Sequence, residues 1–475
     1  MGRYKRLLSN TAILGIGTFA SKVLVFLLMP FYTSVLTTTQ FGVADILTQT
    51  ANLLIPLAAV GICDGIFRFA LDSSDGGEIS ERQVLSGGVA VLALGSALCV
   101  ALVQILRLFD IFDGYVWLVA AYVLCANLHS AFANFLRAKG HTTLFAVQGI
   151  INTALTIGLN ILFLVVFDMG TLGYVLSVVV SDLCVTVLLF FAGRLYRFLS
   201  FRDINAGVIG KMLKFSIPYI PTTILWLITS VSDRYIVTAY CGEAENGLYA
   251  AAYKLPTMLS LVCGVFIEAW HFSTVKDAEP EERSSFFGSV FKNYMGIIFM
   301  GASGIIAFSK ILTRLLLADS YYSSWEFVPV LTLATAFSAL VSFLGSVYFL
   351  EKKSMLSMLT ALAGAVVNIV LNFVMIPTHG AMGAAVATLI SYITVYVIRA
   401  YDTRFYIRFN LHSVKVAINF IAVIAQTVVI ISEIRYWVYI QIAIVAFMLI
   451  FNGKDILKGV LAVLHQIKNK KSKEI

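Results

Sequence analysis

Long apolar runs separated by short polar connections recur along the whole chain. About 20 consecutive apolar residues suffice for a helix to cross a ~30 Å hydrocarbon core. The pattern predicts fourteen such helices, eight of them at 9–36, 41–69, 83–106, 115–136, 143–167, 172–197, 211–240 and 246–270. The other six are expected at 288–312, 325–350, 354–377, 381–401, 411–432 and 434–452. The fold class expected is therefore all-α, a polytopic membrane protein whose principal solvent is lipid.

Composition agrees with this pattern. Of 475 residues 59% are hydrophobic and 13% are charged, with a mean hydropathy of +0.89. A soluble domain carries about 25% charged residues. The start "MGRYKR" followed by an apolar run imitates a signal peptide, but the run is too long and lacks a small-residue cleavage site. It is read as an uncleaved first span. The six cysteines, at 63, 99, 125, 184, 241 and 263, form no C-x-x-C pair. They point to packing rather than to zinc or disulfides.

The distribution of charge sets an orientation. Of 34 Lys and Arg residues, 27 fall in the connections of one side and three (Arg107, Arg314, Arg435) in those of the other. Cytoplasmic connections carry the basic excess. Both termini are therefore expected in the cytoplasm, the chain being a multi-pass membrane protein. The net charge of +8 then reflects orientation and anionic lipid, and no nucleic-acid partner is expected. No connection is long enough to hold a separate domain.

The chain also resembles itself. Gly42 in "TTTQFGVADILTQTANLLIP" aligns with Gly247 in "GEAENGLYAAAYKLPTML". Asn160 aligns with Asn372, and Gly170 and Gly173 with Gly380 and Gly383. The division expected is an N-terminal six-helix bundle over 1–198, a second six-helix bundle over 199–402, and two extra helices with a basic tail over 403–475. Parallel repeats of this kind place substrate where the repeats meet. Five of the eight prolines (Pro30, Pro56, Pro218, Pro221, Pro256) lie in the first two helices of each repeat. Proline interrupts a helix, and paired interruptions point to a transport site. These five are the expected hinges.

Three cations fall inside these same helices: Lys22, Arg234 and Lys254. Lys22 lies ~20 Å along its helix from the cytoplasmic end. A charge at such depth facing lipid costs at least ~2.5–3.5 kcal/mol. Two arrangements would relieve that cost. One is an aqueous cavity that binds an anion, Arg offering a fork to phosphate and Lys a point charge. The other is pairing with Asp45, Asp64, Asp182, Asp233 or Glu268. Asp45, Asp64, Asp233 and Glu268 are also the candidate coupling acids. Asp64 and Arg68, four apart, are expected to pair with each other. The histidines are scattered without metal-ligand spacing, so no metal, cofactor or catalytic residue is expected. Aromatic residues on the same helices, including Tyr32, Trp226, Tyr235 and Tyr249, are read first as packing or interface anchors.

With "SK" at 21–22, "FG" at 41–42, "SDRYIV" at 232–237 and "ENGLYAAAYKL" at 245–255, the chain resembles the Wzx-like O-antigen and capsule flippases. These form the polysaccharide-exporter branch of the multidrug/oligosaccharidyl-lipid/polysaccharide (MOP) superfamily. The resemblance implies bundles that alternate between inward- and outward-open states. It implies a substrate of undecaprenyl-pyrophosphate-linked oligosaccharide, with the last two helices offering a groove to the polyprenyl tail. Other membrane proteins of polysaccharide assembly are further candidate partners. The alternatives are a lipid II-type flippase or a drug/cation antiporter of the same superfamily. The antiporters typically have twelve spans and couple through carboxylates. A membrane enzyme of polysaccharide assembly ranks behind these, because the longest outer connection is about a dozen residues, at 313–324.

Overall fold

The computed structural model describes residues 27–74, 79–107, 114–217, 220–276, 283–351 and 353–473. Among them the regular structure is helical throughout. In chain order the helices are α1 (Met29–Val35), α2 (Thr38–Ala59), α3 (Ile62–Ser74), α4 (Glu81–Arg107) and α5 (Val116–Ala138). Then come α6 (Thr142–Asn160), α7 (Gly170–Ala192), α8 (Ala206–Ser216), α9 (Ile220–Cys241) and α10 (Glu243–Lys276). The remainder are α11 (Arg283–Ala307), α12 (Ser309–Leu316), α13 (Val328–Leu350), α14 (Ser354–Asp402), α15 (Ser413–Ile431) and α16 (Trp437–Lys473).

Eleven described segments are long and apolar enough to cross a membrane. One of them, Met355–Phe405, runs for 51 residues. It consists of two spans, because Gly380 breaks α14 with φ 57° and ψ −145°. A side chain is scarcely tolerated in that region of backbone space, which is why glycine stands there. The arms then run antiparallel: Arg399 Nε donates to Thr360 Oγ1 (3.0 Å) and Asn368 Nδ2 to Thr388 Oγ1 (3.3 Å). The matching glycine of the first repeat, Gly170, also has a positive φ of 52° and opens α7 after α6. Both glycines aligned in the sequence thus have a positive φ between two helices. The first predicted span, 9–36, is described only from residue 27. Helix α9, which carries Asp233 and Arg234, is long enough to cross but is not among the eleven.

The second predicted span, 41–69, is two helices. After Pro56 the backbone turns left-handed at Val60 (φ 49°) and Gly61 (φ 65°). Thr37 starts α2 with a capping box, its hydroxyl accepting from Gln40 N–H while the Gln40 side chain accepts from Thr37 N–H. That reciprocal pair satisfies two otherwise orphaned helix-end donors.

Contacts divide the chain into two compact units. The first comprises Met1–Thr238 and Gly242–Gly247, the second Ala239–Cys241 and Leu248–Ile475. Within the first, α2 packs through Ala44, Leu47, Ala51 and Leu54 against Val119 and Val123 of α5 and Val175 and Val179 of α7. Further along, Ile62 and Ile66 of α3 join Leu85 of α4, Phe135 of α5 and Met212 of α8 in a second core. Within the second unit α13 is almost wholly buried. Phe343 on it stacks with Trp270 (5.1 Å) and Tyr294 (5.5 Å). Lys310, read from the sequence as lying within a span, stands at the start of α12. It is ion-paired with Glu433 and lies 4.1 Å from the Trp325 ring and 4.6 Å from that of Trp437. Arg399, counted by its position among the loop cations, is buried, with its guanidinium donating to Val341 O (2.9 Å) and Thr360 Oγ1.

A candidate polar site in the first unit

The polar centre of the first unit is built from one face of α2 and one of α9. Asp45 and Gln49, four apart, share a face of α2, and Thr50 follows directly. On α9 the consecutive residues Arg234 and Tyr235 meet Asp45 and Thr50. Arg234 Nη1 donates to Asp45 Oδ2, and both side chains are about 6% exposed. The Tyr235 hydroxyl and the Thr50 hydroxyl share a hydrogen bond of 2.6 Å. Asp233, fully buried, accepts the backbone N–H of Arg234 at 2.9 Å. Two ions removed from water each forfeit several kcal/mol of hydration. The pair persists because each supplies the other's counter-charge where lipid and apolar side chains supply none.

The sequence-predicted residues are therefore distributed as follows. Arg234 and Asp45 are brought together, which is the pairing arrangement among the two considered for that cation. Lys254 is partly buried on α10, in the second unit. Lys22, Pro218 and the side chains of Glu268 and Trp226 fall outside the described residues. Asp64 is exposed in the first turn of α3. Its expected pairing with Arg68 is corrected: Arg68 Nη1 binds Asp72 Oδ1 at 3.2 Å. The break at Val60–Gly61 is the reason, because it moves Asp64 from the middle of a long helix to a helix start, where the backbone N–H groups favour an anion. Pro56 and Pro256 lie inside helices, whereas Pro30 and Pro221 occupy first turns. Proline fits a first turn without breaking it, so these two mark helix starts.

A second buried polar group joins α5, α6 and α7. His129 Nδ1 lies 3.0 Å from Asp182 Oδ1, and Asn152 Nδ2 donates to the same oxygen at 2.9 Å. Asp182 was a candidate partner for the intramembrane cations, and here it serves His129. Pairs separated by 53 and 30 positions leave no local signature, so neither spacing nor hydropathy could have revealed this group. Among the described residues no cluster of three His, Cys, Asp or Glu side chains could hold a metal ion.

The first turn of α10 meets α2 at two glycines. A Cβ on Gly42 would fall 2.0 Å from the Glu243 carbonyl oxygen, and one on Gly247 would fall 1.9 Å from the Thr38 carbonyl oxygen. The contact is reciprocal: each glycine receives the carbonyl that lies four residues before the other. Asn246 Nδ2 adds a hydrogen bond to Gly42 O at 3.0 Å. Small residues let helix backbones approach this closely in membranes.

Comparison with known proteins places the chain. It is similar in structure to the lipid II flippase MurJ in an inward closed conformation, with a TM-score of 0.69, 13% identity, and coverage of 95% of this chain and 100% of that one. An inward-facing multidrug resistance MATE family transporter of the MOP superfamily gives a TM-score of 0.66 at 12% identity, covering 81% of this chain and 95% of that one. For a variant of the Vibrio cholerae MATE transporter VcmN the values are 0.54 and 16%, with 84% and 96% covered. These likenesses establish the fold. No curated protein sequence matches the chain. The family model for polysaccharide biosynthesis proteins, however, matches residues 7–271, more than half of the 475. The polytopic helical chain with its intramembrane Asp45–Arg234 pair belongs to the polysaccharide biosynthesis protein family and has the fold of the MOP superfamily.

Proposed function

We propose that this protein is a flippase, not an enzyme. It carries an undecaprenyl-pyrophosphate-linked oligosaccharide, a repeat unit of O-antigen, capsule or exopolysaccharide, across the bacterial cytoplasmic membrane by alternating access. The observation that supports this reading most is an arginine held deep in a membrane-spanning unit of a polysaccharide biosynthesis family member. A guanidinium bound to a carboxylate can exchange that partner for a phosphate, which presents the same pair of oxygens. Lys22 and Lys254 would supply further positive charge along the path, with Asp45, Asp64, Asp233 and Glu268 as pairing or coupling acids and Pro56, Pro218 and Pro256 as hinges. The sequence repeats over 1–198 and 199–402, followed by 403–475, are the proposed functional divisions. The lipid II flippase aligns over 95% of the chain and the MATE transporter over 81%, which favours a flippase over a drug/cation antiporter.

An inside-negative membrane potential favours outward movement of an anion by ~2.3 kcal/mol per charge per 100 mV. The cations need only offset the water lost by the diphosphate, since a site that binds too tightly slows release. Lys22→Ala should therefore abolish glycan export at normal membrane abundance, Lys22→Arg should retain much of it, and Lys22→Glu should be worse than alanine. The test is an in vivo export assay with abundance measured in parallel. Full export by Lys22→Ala at normal abundance would remove that residue from the mechanism.

Orientation is proposed from the 27-to-3 division of basic residues, with both termini cytoplasmic. Cysteine labelling should reach a probe in the tail only after the membrane is permeabilised. Labelling of the tail from outside intact cells would overturn the topology.

A further inference from the structure

Within the first unit, a cavity of about 220 Å³ opens between α1, α6 and α7. None of the described residues that line it is charged. Its polar atoms come from Tyr32, Asn152, Thr153, Thr156 and Asn160, and the Tyr32 and Tyr174 rings, 5.0 Å apart edge to face, form an aromatic wall.

The hydrogen-bonding state of each group follows from its partners. Asn160 is 1% exposed, and its Nδ2 donates to Thr156 O (2.8 Å) and to the Tyr32 hydroxyl (3.1 Å). A backbone carbonyl only accepts, so the amide orientation is fixed. Asn160 Oδ1 is left buried with no hydrogen-bond partner. Such an atom is unfavourable unless something in the cavity donates to it. The single hydroxyl protons of Thr153 and Thr156 are turned back to Gly149 O (2.9 Å) and Asn152 O (2.8 Å), so both oxygens face the cavity as acceptors. Tyr32, having accepted from Asn160, keeps its own O–H to donate. Asn152 is occupied on both sides, by Asp182 and by Ser181, and so braces the wall. Immediately after Asn160 the helix widens into a π-helical turn, Ile161–Val166. Such turns are frequent at functional sites.

We propose that this cavity is a carbohydrate subsite that takes one uncharged sugar ring. The proposal rests on the flippase reading and deepens it by naming a sugar contact. Three fixed acceptors and one donor match a ligand rich in O–H donors. An aromatic wall suits the C–H face of a pyranose, and the volume admits a monosaccharide but not a longer glycan. Among the described lining residues an anion would meet lone pairs and no positive charge.

The test is saturation-transfer NMR on the full chain in nanodiscs, with a panel of neutral methyl glycopyranosides as probes. At least one should bind saturably in the millimolar range. Thr153→Val, which preserves shape and helix, should weaken it severalfold at an unchanged melting temperature, and Asn160→Leu should weaken it at least tenfold. Absence of saturable binding by every glycoside would overturn the proposal. So would wild-type binding by both variants, or a cavity that responds to sodium ions and to no sugar. Because the readout needs no transport, glycoside binding by a chain that exports nothing would overturn the flippase reading and leave the subsite standing. Export that survives in a chain blind to glycosides would do the reverse.

Discussion

Arg234→Met is expected to destabilise the protein by about 3–5 kcal/mol, because it leaves the Asp45 carboxylate buried without its counter-charge. Asp45→Ala should also destabilise the protein, because it takes the carboxylate away from Arg234 Nη1. Both residues are buried, at 5% and 7% exposure, so neither remaining charge can turn to water. The double variant Asp45→Leu with Arg234→Met should recover most of the loss, since replacing a whole buried pair by apolar side chains is often neutral. Thermal unfolding in detergent, with the four proteins side by side, measures this directly. A double variant no more stable than Arg234→Met would mean that the pair is not the unit that matters. The same double variant separates structure from transport. If the arginine serves only to hold α9 to α2, the refolded protein exports normally. If it engages a diphosphate, the protein is stable and inactive. Arg234→Lys should fold nearly as well but export less, because a point charge replaces the bidentate fork.

Substitution at the glycine crossing should be nearly as severe. Gly42→Ala would set a methyl 2.0 Å from a backbone oxygen, and Gly247→Ala would set one 1.9 Å from another. No side chain can rotate away to relieve either clash, so the helices must separate. Forced overpacking costs typically 1–3 kcal/mol and occasionally more, and a backbone clash belongs at the upper end. Gly149→Ala on α6 is the control, for its Cβ would meet nothing within 4 Å. There alanine should be neutral or gain up to about 1 kcal/mol in helix propensity. Because Gly42 and Gly247 share one crossing, the double variant should fall short of the sum of the singles. Melting temperatures of Gly42→Ala and Gly247→Ala equal to that of Gly149→Ala would show that the crossing is not tight.

Much of the architecture was legible because lipid imposes a simple rule. A span must be apolar and helical, so hydropathy alone located segments such as 115–136 and 325–350, which became α5 and α13. Gly170 and Gly380 stood out in the sequence because glycine serves a positive-φ backbone that other residues scarcely adopt. What hydropathy could not see were breaks within apolar sequence. Val60–Gly61 is as apolar as its surroundings, so 41–69 read as one helix, and the misplaced start of α3 then gave Arg68 the wrong partner. Side-chain pairing was the least legible of all. Asp45 and Arg234 were both suspected, but as members of a longer set, because a separation of 189 positions carries no sign of which acid meets which base. Tyr32 and Asn160 attracted attention for aromatic character and for the repeat, and the cavity that joins them depends on how α1 and α6 pack.

The left-handed glycine in α14 also bears on how the chain is made. Residues 355–405 form a single candidate membrane stretch, about 75 Å long if fully helical at 1.5 Å per residue and more than twice the thickness of the hydrocarbon core. No polar loop separates its two arms, so the insertion machinery meets no stop between them. The basic residues that could orient them, Lys353 before the first arm and Arg404 after the second, lie at the same end. Neither arm can be threaded independently against that charge. The segment is suited to enter as a preformed hairpin, with Gly380 at the leading tip and both ends held back on the side of synthesis.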